Sequence, residues 1–298
     1  MYLYKLMLDK NQLIVPSAIA AMAIAGIVGW EIKKRTSVNM AITSQQSPAV
    51  TKQSHSTSEI AATTNSTIVE KMAREVTVRV LTESVPGSGV IILQQSSSTD
   101  GRQGKTYSVL TCQHVISESK KGGYRVLSPD GKVYPARVKS TPKLKGLDLA
   151  VVEFDSNTIY RVAELGKSED LGSDISVYAA GFPNHHVVNA DRIEDTIDWG
   201  LRAFRFTVGK VGSISPQQLP DGYSLGYTNE VASGMSGGPV FNNQGELIGI
   251  NGRLKYPVAG IDAFIYADGT KPSIEIFEQM EALSWAIPIV TYQQVVKK

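Results

Sequence analysis

Residues 232–240 read Ala232-Ser233-Gly234-Met235-Ser236-Gly237-Gly238-Pro239-Val240, the pattern of a loop built to make a serine reactive. A serine hydroxyl is a weak nucleophile until a base removes its proton, and its attack creates an oxyanion that needs donors already aimed at it. Gly234 and the glycines after Ser236 let the backbone turn tightly with no Cβ in the way, so successive N–H groups can converge on one point. The plain structural alternative is a Gly-rich β-turn leading into a strand at Val240-Phe241.

Two further stretches bear on that choice. Thr111-Cys112-Gln113-His114-Val115 follows the apolar run from Tyr107 to Leu110, which puts His114 just past a strand, where its imidazole can lean into a cleft. Leu147-Asp148-Leu149-Ala150-Val151-Val152 sets one carboxylate at the head of a run otherwise suited to burial. A buried, unpaired carboxylate is costly, and a histidine N–H is a good donor to it. Singly, His114 reads as a satisfied core histidine and Asp148 as a turn residue or cap. With Ser236 they supply base, orienter and nucleophile in the order His, Asp, Ser.

That order, with these flanks, resembles the trypsin-like (chymotrypsin-fold) serine peptidase family in its disulfide-free bacterial form, over about residues 68–298. The markers are Gly87-Ser88-Gly89-Val90 on an early strand, the His114 and Asp148 segments, Gly234-Met235-Ser236-Gly237-Gly238-Pro239 and Leu247-Ile248-Gly249-Ile250. Gln113 departs from the small residue usual before the histidine. The resemblance implies a serine endopeptidase acting through an acyl-enzyme, with His114, Asp148 and Ser236 as the triad. It also implies an oxyanion hole from the N–H groups of Gly234 and Ser236, a protein or peptide substrate, no cofactor and no metal. By analogy of position, Glu230, Asn251 and Arg253 are expected in the substrate pocket. Glu230 at its base would favour Lys or Arg, and Arg253 on its wall would favour acidic residues or neutralise Glu230; the alternative is that both charges point to solvent. Met235 stands where family members activated by clipping carry an aspartate. A thioether cannot pair with an ammonium, so Ile68-Val69 is not read as an activation site and the domain is expected to fold active without cleavage there.

Period-two alternation such as Val76-Thr77-Val78-Arg79-Val80 recurs in short runs to the end of the chain. Candidate strands lie near 76–82, 88–94, 106–112, 123–128, 132–139 and 148–154, then near 175–180, 202–214, 223–229, 238–242, 246–252 and 284–288. The expectation is an all-β fold of two six-stranded antiparallel barrels with few short helices, each barrel closing its own edges and a cleft running between them. His114 and Asp148 fall in the first barrel, about 68–160, and Ser236 in the second, about 172–298. Thr67-x-x-Glu70 is expected to cap a short helix with Ile68, Val69, Met72 and Ala73 on one face. Tyr256 to Met280 reads as an insertion, with Ser273 capping a helix through Ile276, Phe277, Met280 and Leu283. A short terminal helix is expected at 291–298, with no second domain.

Before the barrels, Leu13 to Trp30 is an uncharged run of 18 residues, with Lys5 and Lys10 ahead of it and Lys33-Lys34-Arg35 behind. It is just long enough to span a bilayer. Ala18-Ile19-Ala20 and Ala23-Ile24-Ala25 also offer the small-x-small pattern of a cleaved signal, but the basic cluster directly after the run favours an uncleaved anchor over 1–35. The basic residues behind the run outnumber those ahead, which argues for a cytoplasmic domain. The family resemblance argues for a periplasmic or extracytoplasmic one, and both orientations stay open. Residues 36–67 include 14 Ser or Thr among 32 and no aromatic, too little apolar surface to offset ordering, and read as a flexible tether.

With 298 residues, 42% hydrophobic and 19% charged, the chain can bury a full core. A net charge of +2 with no basic cluster interleaved with aromatics excludes nucleic acid as an expected partner. The single Cys112 excludes an intrachain disulfide and fits no cysteine-based metal site. His185-His186, adjacent in sequence, are poorly placed to chelate one metal and read as loop residues. Two functions follow from the whole: a membrane-tethered serine endopeptidase, or a protease-like binding module with a dormant site.

Overall fold

The computed structural model describes residues 53–99, 102–117, 123–167, 171–215 and 217–297. The expected anchor at 1–35 and the first part of the tether lie outside the described residues. Among the described residues no helix is long and apolar enough to cross a membrane.

The first barrel is β1 (Thr77–Leu81), β2 (Gly87–Thr99), β3 (Arg102–Thr111), β4 (Tyr124–Leu127), β5 (Val133–Lys139) and β6 (Ala150–Ser156), closed in the order β1-β2-β3-β6-β5-β4. The second is β7 (Ser176–Gly181), β10 (Arg205–Ile214), β11 (Leu225–Tyr227), β12 (Pro239–Phe241), β13 (Leu247–Arg253) and β14 (Ser284–Pro288), closed as β10-β11-β14-β13-β12-β7. All paired strands are antiparallel, and each of the twelve overlaps one of the expected strand-like runs. Between β7 and β10 lies a separate hairpin, β8 (His185–Asn189) with β9 (Arg192–Asp195). The sequence reading assigned His185 and His186 to a loop. They stand instead on β8, opposite Asp195 and Glu194.

Alternation explains the cores. On β1, Val78 and Val80 turn inward, and on β3 and β6 Tyr107, Val109, Val152 and Phe154 do the same. Tyr107 and Phe154 stack with centroids 5.2 Å apart, and Tyr134 stacks on Phe154 at 5.3 Å. The hydroxyls find partners at the barrel end: Tyr107 donates to Thr158 O (2.9 Å), and Tyr160 donates to Asp130 (2.8 Å). In the second barrel Trp285 is fully buried, with its indole N–H donating to Met280 O at 3.0 Å.

Among the described residues three longer α-helices flank the barrels, beside the one-turn helix α2 (Gln113–Ser117). α1 (Gln53–Val76) begins well before the expected cap, so Thr67 and Glu70 lie inside it and residues 53–67 of the expected tether are helical. Its buried face is Val69, Ala73 and Val76, at spacings of four and three. Ile68, expected on that face, is exposed. α3 (Ile274–Glu281) is capped by Ser273 as expected, with Ile276 N–H donating to its hydroxyl. Met280 and Leu283 are buried against the barrel, whereas Ile276 faces solvent. α4 (Ile289–Lys297) starts directly after β14, two residues earlier than expected.

Phe154 joins three aromatic neighbours at the centre of barrel one. Phe154→Ala is expected to lower unfolding free energy by about 3–5 kcal/mol through lost transfer energy and a residual cavity. A denaturant midpoint close to wild type would show that this cluster does not hold the barrel.

Candidate active site

β3 ends at Thr111, and the chain leaves the barrel through Cys112 into α2 (Gln113–Ser117), a single turn that carries His114. Asp148 lies just ahead of β6. Its carboxylate grips His114 twice: Oδ1 accepts from the backbone N–H at 2.8 Å, and Oδ2 lies 2.6 Å from ring Nδ1. The double contact fixes both the position of the short helix and the plane of the ring. The side chain of Asp148 is 13% exposed and that of His114 48%, so the pair has a sheltered carboxylate and an accessible imidazole. Burial pushes the Asp148 carboxyl up, but the hydrogen bonds and charge from His114, with a hydroxyl from Tyr223, outweigh it and hold the carboxyl below its ordinary value.

The serine loop lies in barrel two, between β11 and β12, and is locked by its own amides. Met235 N–H donates to Ala232 O (2.9 Å), Gly237 N–H to Asn251 O (2.7 Å) and Gly238 N–H to Met235 O (2.9 Å). The amides of Gly234 and Ser236 have no hydrogen-bond acceptor among the described residues. Gly234 and Gly237 take φ of +95° and +84°, conformations that a side chain disfavours. The space is also closed: a Cβ on Gly234 would lie 2.6 Å from Phe182 O and from the Asn184 side chain.

Ser88 on β2 joins this loop to barrel one. Its N–H donates to Ser236 O (2.8 Å), its hydroxyl donates to Gly234 O (2.7 Å), and that hydroxyl accepts from Phe182 N–H (2.8 Å). A Cβ on Gly237 would meet Ser88 O at 2.1 Å, Thr111 Oγ1 at 2.3 Å and Cys112 N at 3.0 Å. The serine loop is therefore pressed against the segment that leads into His114. Ser236 itself is half-buried, and among the described residues its hydroxyl makes no hydrogen bond to the imidazole.

The three residues expected in the substrate pocket have different surroundings. Asn251 is 1% exposed and lies beneath the loop: its amide donates to Met235 O (3.1 Å), and its side-chain oxygen accepts from Tyr227 (2.5 Å). It is a strut of the serine loop rather than an open pocket wall. Glu230 has a largely exposed side chain paired with Lys255 at 2.5 Å. Arg253 does not neutralise Glu230. It donates to Ala263 O (2.9 Å) and Pro220 O (3.2 Å), pairs with Asp221 (3.5 Å) and lies over the Tyr223 ring. Beside it opens an apolar cavity of about 660 Å³ lined by Pro220, Leu254, Pro257, Phe264 and Ile265.

Cys112, His114 and Asp148 form the one grouping of three possible metal-ligand side chains among the described residues. Burial above all, with Asp148 nearby, pushes the Cys112 thiol well above its ordinary value, so it stays protonated and donates to Asn251 O (3.3 Å). Both carboxylate oxygens are engaged by His114. The donor set is that of a hydrogen-bonded pair above a buried thiol and does not suit a metal. Sequence reading missed Ser88 as the joint, although its Gly-Ser-Gly setting marked a place of close backbone approach. It also missed Tyr223 and Asn184, which carry no local signal because their partners are distant in sequence.

Two closed antiparallel barrels, with a His–Asp pair on one and a Gly-rich serine loop from the other pressed against it, define the trypsin-like class of fold and site. The chain belongs to the trypsin-like peptidase domain family, whose family model matches residues 87–250, more than half of its length. It is 29% identical to "Serine protease Do-like HtrA" of Bacillus subtilis (strain 168) over 197 residues, 65% of this chain and 39% of that protein. It is 31% identical to "Serine protease HTRA4" of Homo sapiens over 165 residues, 55% of this chain and 29% of that protein. The chain thus spans well under half the length of these curated relatives. Among solved structures, the serine endoprotease from Yersinia pestis shares its fold, with a TM-score of 0.51 at 21% identity, over 78% of this chain and 65% of that one.

Gly237 tests the seam between the barrels. Gly237→Ala is expected to lose at least ~2 kcal/mol of stability, because its Cβ enters the space of Ser88 and Thr111 at a positive φ. Thermal unfolding indistinguishable from wild type would show that the loop is not held against β2 in this way.

Proposed function

We propose that this chain is a serine endopeptidase that cleaves peptide bonds with His114, Asp148 and Ser236. The observation that carries the reading is the two-point hydrogen bonding of Asp148 to His114 beside the serine loop. His114 Nε2 takes the proton of Ser236 as the serine oxygen attacks the substrate carbonyl carbon. The resulting oxyanion accepts hydrogen bonds from the amides of Gly234 and Ser236, both of which the loop leaves without internal partners. His114 then gives its proton to the leaving amine, the C–N bond breaks, and an acyl-enzyme remains. Water, deprotonated by His114, attacks the acyl carbon; the ester bond breaks and Ser236 recovers its proton. Asp148 stays ionised throughout, holding Nδ1–H and stabilising the imidazolium.

The substrate class in this reading is protein or peptide. Residues 13–30 as an uncleaved membrane anchor, or alternatively as a cleaved signal, belong to the same reading, which rests there on the sequence alone. The second reading, a dormant protease-like binding module, draws on the serine hydroxyl that makes no hydrogen bond to the imidazole. Catalytic hydrogen bonds are often long before substrate binds and tighten in the complex, which favours the enzyme.

A fluorophosphonate probe separates the two. Wild type is expected to be labelled, with labelling abolished by Ser236→Ala and by His114→Ala. Asp148→Asn is expected to fold and to lose on the order of 10⁴ in turnover, because the imidazole loses the partner that holds its tautomer and stabilises its charged form. A well-folded wild type that takes no label would establish the dormant reading, and wild-type turnover in Asp148→Asn would remove Asp148 from the triad.

A further inference from the structure

One hydroxyl reaches the His114–Asp148 pair from the opposite barrel. Tyr223 follows the turn at Pro220–Gly222, is 1% exposed, and donates from its hydroxyl to Asp148 Oδ2 at 2.5 Å. That oxygen is the one lying 2.6 Å from the His114 ring. The same turn provides a second hold, because Asp221 O accepts the N–H of Asp148 at 2.9 Å. Asp221 and Gly222 take φ of +66° and +91°, so the backbone adopts an uncommon course to bring both contacts to one residue. The Arg253 guanidinium lies 4.4 Å from the Tyr223 ring centroid, while its bonds to Pro220 O and Asp221 pin the turn.

Gly252 supplies an independent observation. A Cβ there would lie 1.9 Å from the Tyr223 oxygen and 2.7 Å from the ring carbon that bears it. The hydroxyl thus occupies space that any residue other than glycine at 252 would fill.

We propose that Tyr223 is a positioning residue for the reaction: its hydroxyl, delivered by barrel two through the gap left at Gly252, fixes the Asp148 carboxylate and shares its charge with His114. The inference rests on the peptidase reading, but it concerns a hydrogen bond that can be observed without turnover. Burial, with Cys112 and Asp148 beside it, pushes the Tyr223 hydroxyl well above its ordinary value, so it remains a proton donor across the working range. A hydrogen bond to a charged group is stronger than one between neutral partners. Here it also competes with the imidazolium for one oxygen. Removing it leaves His114 as the main partner of that oxygen, which favours the protonated ring and moves the pH midpoint of the reaction upward. The other titratable or charged groups facing the pair, Cys112, Asp221 and Arg253, are unchanged by Tyr223→Phe.

The test compares the full chain as wild type, Tyr223→Phe and Gly252→Ala, the last keeping the hydroxyl but displacing it. Proton NMR reads the Hδ1 resonance of His114, and fluorophosphonate labelling of Ser236 is followed against pH. Both variants are expected to shift the Hδ1 resonance, to slow labelling about tenfold or more, and to raise its pH midpoint. An Hδ1 resonance unmoved in Tyr223→Phe overturns the proposal even if labelling slows, since a merely structural role would slow it too. Should Tyr223→Phe not fold, the resonance in Gly252→Ala decides. A folded wild type without labelling would count against the peptidase reading instead, and the resonance would still settle the role of Tyr223.

Discussion

Ser88 is the joint on which the structure depends. Its amide, hydroxyl and carbonyl are all engaged: the first two hold the serine loop and Phe182 of barrel two, and the carbonyl accepts from Thr111 beside the histidine segment. One buried residue therefore ties β2, the serine loop and the end of β7 into a single seam. The candidate chemistry needs groups from both barrels at hydrogen-bond precision, and a 1 Å error between them would cost much of the rate advantage that orientation provides. Glycine at 237 follows from the same need, since a Cβ there would lie 2.1 Å from Ser88 O across the seam, and glycine at 238 lets the loop lie against β7, where a Cβ would meet Ala180 O at 2.2 Å.

Around that joint the carboxylate of Asp148 has an unusual position. It lies ahead of β6 on barrel one, yet main chain and side chain from the 221–223 turn of barrel two also contact it. The carboxylate therefore gains its full set of contacts only when the barrels are docked. Arg253, expected as a determinant of specificity, lies behind this arrangement, bonded to Pro220 O, Asp221 and the Tyr223 ring of the turn and to Ala263 O. The apolar cavity beside it has one wall in common with the support of the site.

Much of this was legible in the sequence. Alternation in strands such as β5 and short apolar runs in strands buried on both faces, such as β11, β12 and β14, located all twelve barrel strands, because both patterns are local. The histidine, aspartate and serine stretches were legible for the same reason: each combines a chemistry-bearing residue with a turn or strand end in a few consecutive positions. What failed depended on distant partners. Arg79 reads as an outward charge on β1, yet it is fully buried because the chain after β7 covers it. Ile68 was placed on the buried face of α1 beside Val69; the real face follows Val69, Ala73 and Val76, and Ile68, about 100° round the helix from Val69, is exposed. Hairpin β8–β9 escaped notice because Val187, Val188 and Ile193 are exposed and give no core periodicity. Tyr223 had no signal, since nothing in Pro220-Asp221-Gly222-Tyr223 refers to a carboxylate 75 residues earlier.

Arg79 has a consequence for how the chain reaches this state. Its guanidinium donates to Thr196 O (2.8 Å), Asn184 Oδ1 (3.0 Å) and Ile197 O (3.4 Å), partners 105 to 118 residues away, and no carboxylate pairs with it among the described residues. In a chain with only barrel one formed, this cation is bathed in water. Covering it with the 184–197 segment removes that water, and only full registry returns enough acceptors to compensate. A nearly docked arrangement is thus worse than an undocked one, and association of the halves becomes all-or-none. Asn184, which receives Arg79 and lies against Gly234, links that requirement to the serine loop.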